Sequence, residues 1–153
     1  MTMAAATRKK LLLIGYGNTL RGDDGVGPFV VGEMMGRHRK TVRACVVQQL
    51  TPELCLLLAE HDVVVFVDAC AAVGADGCRL VPVETRGEAS RGTHISSPAS
   101  LLALADELYG ARPRAWCLAI PGEDFRVGAG LSASARIRAE EAVKIIEEYL
   151  QFV

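Results

Sequence analysis

Four side chains in this sequence have the types and placement to do chemistry. Asp23 and Asp24 are adjacent, Asp68 closes a run of apolar residues, and His94 lies in a polar stretch that carries two glycines. Two carboxylates and an imidazole make a hard-to-borderline ligand set, suited to divalent zinc, nickel, manganese or iron. They are far apart in the chain, so only the elements around them can bring them together.

The acidic pair belongs to the stretch Leu11–Phe29, which reads LLLIGYGNTLRGDDGVGPF. A short apolar run that breaks on glycines reads as the first strand of an α/β sheet, and ligands of such folds bind beyond the strands' carboxyl ends. With Arg21 the only cation in the loop, a cation or a metal-bearing group suits this place better than a phosphate. A dinucleotide fingerprint fails here: its third glycine would fall on Leu20, and Val46-Val47-Gln48-Gln49 offers no acid for a ribose. Acids in the first turn of a helix also complement its dipole, for typically about 0.3–1 kcal/mol, so one of the two can serve only that purpose.

Asp68 ends Asp62-Val63-Val64-Val65-Phe66-Val67-Asp68, the clearest buried strand in the chain. A carboxylate there must be paired or metal-bound to escape the cost of desolvation, unless it merely ends the strand as a turn residue. Among the histidines, His38 stands in a basic helix end and His61 beside Asp62, both structural or surface positions, which leaves His94. No G-x-S-x-G elbow is present, and Ser96 and Ser97 need not face His94. Cys70 is the one thiol near Asp68 and a minor alternative as nucleophile.

The elements that must position these groups alternate between strand and helix. Strands are expected at residues 11–16, 42–48, 62–68, 78–83 and 114–120. Helices are expected from Asp24 to about Arg37, with Val26, Phe29, Val30 and Met34 inward, and from a Thr51 cap and Pro52 to about Glu60. Two more follow, at 100–109 after Pro98 and at 133–150, the last with Ala135, Ile137, Ala142, Ile145, Ile146 and Tyr149 inward. Residues 71–77, 85–97 and 121–130 read as loops. This order predicts a three-layer α/β/α sandwich around a central, mainly parallel, twisted sheet of about five strands. A single domain over residues 1–153 is expected, with residues 1–9 a flexible tail.

Half of the residues are hydrophobic and the net charge is −1, which speaks against nucleic acid and against an anionic membrane surface as partners. The apolar run after Lys10 is too short for a signal peptide, and no run is long enough to span a membrane. Five cysteines, an odd number without a CxxC pair, read as free thiols of a cytoplasmic protein.

The run from Gly15 to Pro28 resembles the G-x-G-N-x-L-x-x-D-(D/E)-G-x-G signature of the hydrogenase maturation endopeptidases, which process the large subunit of nickel–iron hydrogenases. Val67-Asp68-Ala69 is similar to the family's strand ending in DA, and 93–102 (THISSPASLL) to its SHxLSPxxLL segment. Ile120–Phe125 with Gly130-Leu131-Ser132 resembles its xxPExF and GLSP ending, with Gly122 displacing Glu123 by one place.

The resemblance implies a peptidase of the aspartyl kind in which Asp24, Asp68 and His94 contact the nickel carried by the precursor of the hydrogenase large subunit. A C-terminal extension is then cut off. Gly15, Gly17 and Asn18 would bind the substrate by shaping the cleft floor, with Asn18 clamping its backbone. Asp23 is left to helix-start electrostatics. The expected protein is a monomer with no tightly bound metal of its own. A nickel-site checkpoint that does not cut, and a stand-alone metallohydrolase, are the alternatives.

Overall fold

The computed structural model describes residues 8–71, 76–85, 95 and 97–153. Five strands form one sheet: β1 (Leu11–Tyr16), β2 (Arg43–Val47), β3 (Val63–Ala71), β4 (Arg79–Pro82) and β5 (Arg114–Gly122). Their order is β2-β1-β3-β5-β4, with every neighbour parallel except the edge pair of β4 and β5. Helices α1 (Val26–Arg37) and α4 (Ala133–Leu150) cover one face, and α2 (Leu54–Ala59) and α3 (Pro98–Tyr109) the other. The expected three-layer sandwich is what the chain forms.

The layers follow from strand alternation. Leu11 and Leu13 of β1 and Val63, Val65 and Val67 of β3 face α1 and α4, while Leu12, Ile14, Val64 and Phe66 face α2 and α3. Both faces are covered, so the central strands carry unbroken apolar runs. The chain goes from β1 to β2 on one side and then to β3 on the other. The carboxyl ends of β1 and β3 therefore flank the point where the winding reverses, the usual place for a ligand crevice.

Several boundaries differ from expectation for tertiary reasons. Asp68 does not end its strand: β3 runs on to Ala71 because β5 continues alongside it, pairing Asp68 with Ala119 and Ala71 with Gly122. Thr51 does not cap α2. Its carbonyl accepts from Leu54 N (3.1 Å) in a turn that precedes the helix, which begins at Leu54 with no side-chain cap. A 3-10 turn, Gly22–Gly25, stands where α1 was expected to begin. Phe29, Leu108 and Ile137 point outward, and Gly27, Ala105, Ala139 and Val143 take up buried places on their helices. Helix α3 matches its sequence signals closely: Ser97 and Ser100 form a reciprocal capping box, Pro98 follows, and Gly110 closes the helix with φ 63°. The first seven residues of the expected tail lie outside the described residues.

Glycines decide how closely α1 sits on the sheet. A Cβ at Gly15 would stand 2.7 Å from Gly27 O and from Val31 Cγ2, and one at Gly27 would collide with the Val67 carbonyl. Gly32, on the exposed side of the same helix, has nothing within 4 Å of such an atom. Gly27→Ala should therefore destabilise the fold by about 2 kcal/mol or more, through overpacking against backbone. Gly32→Ala should stabilise it by up to about 1 kcal/mol, through helix propensity. Urea unfolding of the two variants checks the opposite signs.

Candidate functional site

Tyr16 and Asp68 occupy the notch between β1 and β3. The β1–β3 ladder stops at the Gly15–Val67 pair, so Asp68 is the first β3 residue beyond it, half-buried and open to the crevice. Tyr16 follows Leu12 and Ile14 at strand alternation and packs toward the α2–α3 layer, beside the Asp68 carboxyl.

Asp24 reaches this notch from the 3-10 turn. Its Oδ2 accepts from Asn18 N at 2.7 Å, which folds the loop back over the end of β1. Gly17 makes the fold-back sterically feasible: its φ is 147°, its N–H donates to Val47 O (3.2 Å), and a Cβ there would strike the Asp24 carbonyl. Asn18 Oδ1 accepts from Leu20 N at 3.0 Å, so this side chain shapes its own loop. Gly15, read as part of the cleft floor, instead faces α1 and Val31.

The electrostatics of the notch are one-sided. Burial pushes the Asp68 carboxyl up to about 6; the nearby Tyr16 hydroxyl and Ala69 N–H oppose the shift and the negative charge of Asp24 adds to it. Burial, followed by the Asp68 charge, likewise pushes the Tyr16 hydroxyl well above its ordinary range. Among the described residues no lysine or arginine pairs with Asp24 or Asp68. Two uncompensated carboxylates in a partly desolvated crevice attract a cation.

Among the described residues no three His, Cys, Asp or Glu side chains gather closely enough to hold a metal. Asp24 and Asp68 are two of the three expected contacts, and the third, His94, lies outside the described residues. Its neighbour Ile95 packs against the α2–α3 layer, the same layer that Tyr16 faces. Cys70, beyond Asp68, is half-buried, and burial and the Asp68 charge push its thiol up, which disfavours the thiolate a nucleophile needs. All five cysteines are free.

Asp23 departs most from its expected role. Rather than facing solvent at a helix start, it is fully buried. Its Oδ2 accepts from Glu123 N (2.8 Å), Asp124 N (3.0 Å) and Ser132 Oγ (2.8 Å), and its Oδ1 from Ser132 N (2.7 Å). Burial alone would raise this carboxyl, but the bonds from Ser132, Glu123 and Asp124 outweigh it and hold the group below its usual range. Sequence reasoning saw neither Tyr16 nor Ser132 as partners. Strand alternation could have put Tyr16 on the face of Asp68, and Ser132, before the last apolar-periodic run, could have been read as the cap of α4.

No family model matches the chain, and no curated protein matches it significantly. Solved structures do resemble it. The nickel–iron hydrogenase maturation protease HybD from Thermococcus kodakarensis is 19% identical, with a TM-score of 0.75 over 92% of this chain and 99% of that one. The hydrogenase-maturating endopeptidase HybD from E. coli is 20% identical, with a TM-score of 0.70 over 93% and 92%. The maturation protease HycI from T. kodakarensis is 22% identical, with a TM-score of 0.71 over 95% of each chain.

A raised folded-state pKa means that ionised Asp68 costs stability above about pH 6 and that the cost fades as pH falls toward the unfolded value near 3.8. Asp68→Asn should therefore raise the Tm at pH 7.5 by about 3 °C, a modest gain because the group is partly solvated, and the gain should vanish near pH 4. Thermal melts of both proteins across this range test it. Over nearly its whole length the chain shares the fold of the hydrogenase maturation endopeptidases.

Proposed function

We propose that this protein is an endopeptidase that removes the C-terminal extension of a nickel–iron hydrogenase large-subunit precursor after nickel has been inserted. The observation that carries this reading is the pairing of Asp24 and Asp68, two carboxylates without a lysine or arginine partner among the described residues, at the switch point of the sheet. Such a crevice prefers a substrate that brings its own cation. The shared fold and the motif resemblance support the nickel of a hydrogenase precursor as that cation.

Asp24, Asp68 and His94 would contact the substrate's nickel and so set the scissile bond beside them. A carboxylate of this pair that is left free of the metal would take a proton from the attacking water. The hydroxide oxygen adds to the peptide carbonyl carbon. Collapse of the adduct breaks the C–N bond, and the proton passes to the departing amine. Tyr16 stands beside the Asp68 carboxyl and shields it from water. Asp24, bound by Asn18 N, is held in a fixed direction before the substrate arrives. No described helix is long and apolar enough to cross a membrane. The protein is proposed to act in the cytoplasm, as a monomer, with no nucleic-acid partner.

The test is incubation of the purified protein with nickel-loaded and nickel-free precursor, followed by the mass of the products. Cleavage of the loaded form alone is expected, and Asp24→Ala, Asp68→Ala and His94→Ala should each lower the rate by about 10²-fold or more. Binding without any change in mass would make the protein a checkpoint for the nickel site. Metal bound stoichiometrically to the purified chain, with cleavage of both forms, would make it a stand-alone metallohydrolase.

A further inference from the structure

The buried carboxylate of Asp23 ties together two segments that are about a hundred residues apart in the chain. Three backbone or hydroxyl donors reach one oxygen and a fourth reaches the other, all from residues 123–132. A backbone bond from Asp23 N to Asp124 O (2.7 Å) and another from Gly128 N to Leu20 O (2.9 Å) complete the seam. The packing is close on both sides. A Cβ on Gly22, whose φ is 53°, would strike the Asp124 carbonyl, and one on Gly122 would stand 2.8 Å from Asp23 Cβ.

The 3-10 turn Gly22–Gly25 carries both aspartates. With three residues per turn, successive side chains leave its axis roughly 120° apart. Once Asp23 is anchored inward, the direction of Asp24 is set, and it is the direction in which Oδ2 meets Asn18 N at the crevice. We propose that Asp23 is the positioning residue for Asp24: its anchorage to residues 123–132 fixes the rotation of the turn and so aims the Asp24 carboxylate at the substrate. Asp23 itself touches no substrate. The inference rests on the reading of Asp24 as a substrate contact, yet the geometry it claims can be measured without any substrate.

The experiment compares amide hydrogen exchange by NMR in the wild type, Asp23→Asn and Gly122→Ala. In Asp23→Asn an NH₂ group must face N–H or O–H donors, whichever way the amide is turned. Gly122→Ala leaves the carboxylate intact but pushes it from its seat. Both should speed exchange at Glu123, Asp124 and Ser132, and also at Asn18, by about tenfold or more, while Val65 in β3 keeps its protection. Faster exchange at residues 123–132 with Asn18 unchanged overturns the proposal, because Asp23 would then only pin the second loop. Should Asp23→Asn lose Val65 protection too, Ser132→Ala decides. It removes one hydroxyl donor, and it should loosen Asn18 by a smaller factor if the proposal holds and not at all if it fails.

On the nickel-loaded precursor, Asp23→Asn should lower kcat by about tenfold or more at temperatures where Val65 stays protected. Normal kcat in Asp23→Asn with a loosened Asn18 amide overturns the functional part of the claim. A wild type that leaves the precursor intact counts against the peptidase reading alone, since the Asn18 amide still decides whether Asp23 aims Asp24.

Discussion

Backbone meets backbone where α1 enters the molecule, and the remaining geometry of the site follows from that contact. With hydrogen in place of a side chain at Gly15 and Gly27, the first turn of the helix descends onto the carbonyls of Tyr16, which ends β1, and of Val67, the last β3 residue paired with β1. A helix held at ordinary side-chain distance would leave the loop before it too far out to return over β1. Because α1 sits close, the loop can fold back through Gly17, and Asp24 arrives at the crevice where the β1 ladder has ended and the β3 ladder has not.

The sheet makes the crevice by mismatch. β1 stops after Tyr16, whereas β3 and β5 continue together to Ala71 and Gly122. Asp68 thus has β5 on one side and, on the other, the end of β1 with Tyr16 and Asp24 close by. It is desolvated enough to feel burial and exposed enough to meet a ligand. The one-sided charge is costly to the resting protein, a cost that a cation-bearing substrate would offset. Stability given up at a crevice is a common mark of sites that bind.

Asp23 solves a different problem with the same functional group. Its carboxylate is buried but meets four donors, so its charge is satisfied by the protein alone, whereas among the described residues its neighbour's carboxylate accepts from Asn18 N. Two adjacent residues of one type are separated in role by the donors that face them. Gly122 belongs to the same arrangement. A Cβ there would stand 2.8 Å from Asp23 Cβ, so a glycine at this place leaves the aspartate its seat.

The order and type of the elements were legible in the sequence, and β1 and α4 were legible to the residue. Local signals of apolar period and helix-opening proline act within a few residues of each other. The nearness of the Asp23–Asp24 pair and of Asp68 to the ends of apolar runs was legible too, whereas only the motif resemblance singled out Asp24. Tertiary pairing decided what local signals could not carry. Asp68 lies within β3 because β5 runs beside it, and Thr51 loses the cap to a preceding turn. Phe29 and Ile137 face outward because smaller residues fill the close approach of their helices to the sheet. The partners of Asp23 are about a hundred residues away, and nothing local in GDD distinguishes a carboxylate that will be filled by the protein from one that will stay open. The sequence by itself determined the layers and the carboxylates at their edge. Only the folded chain, by bringing the donors of residues 123–132 to one aspartate and not the other, decided which of them is structural.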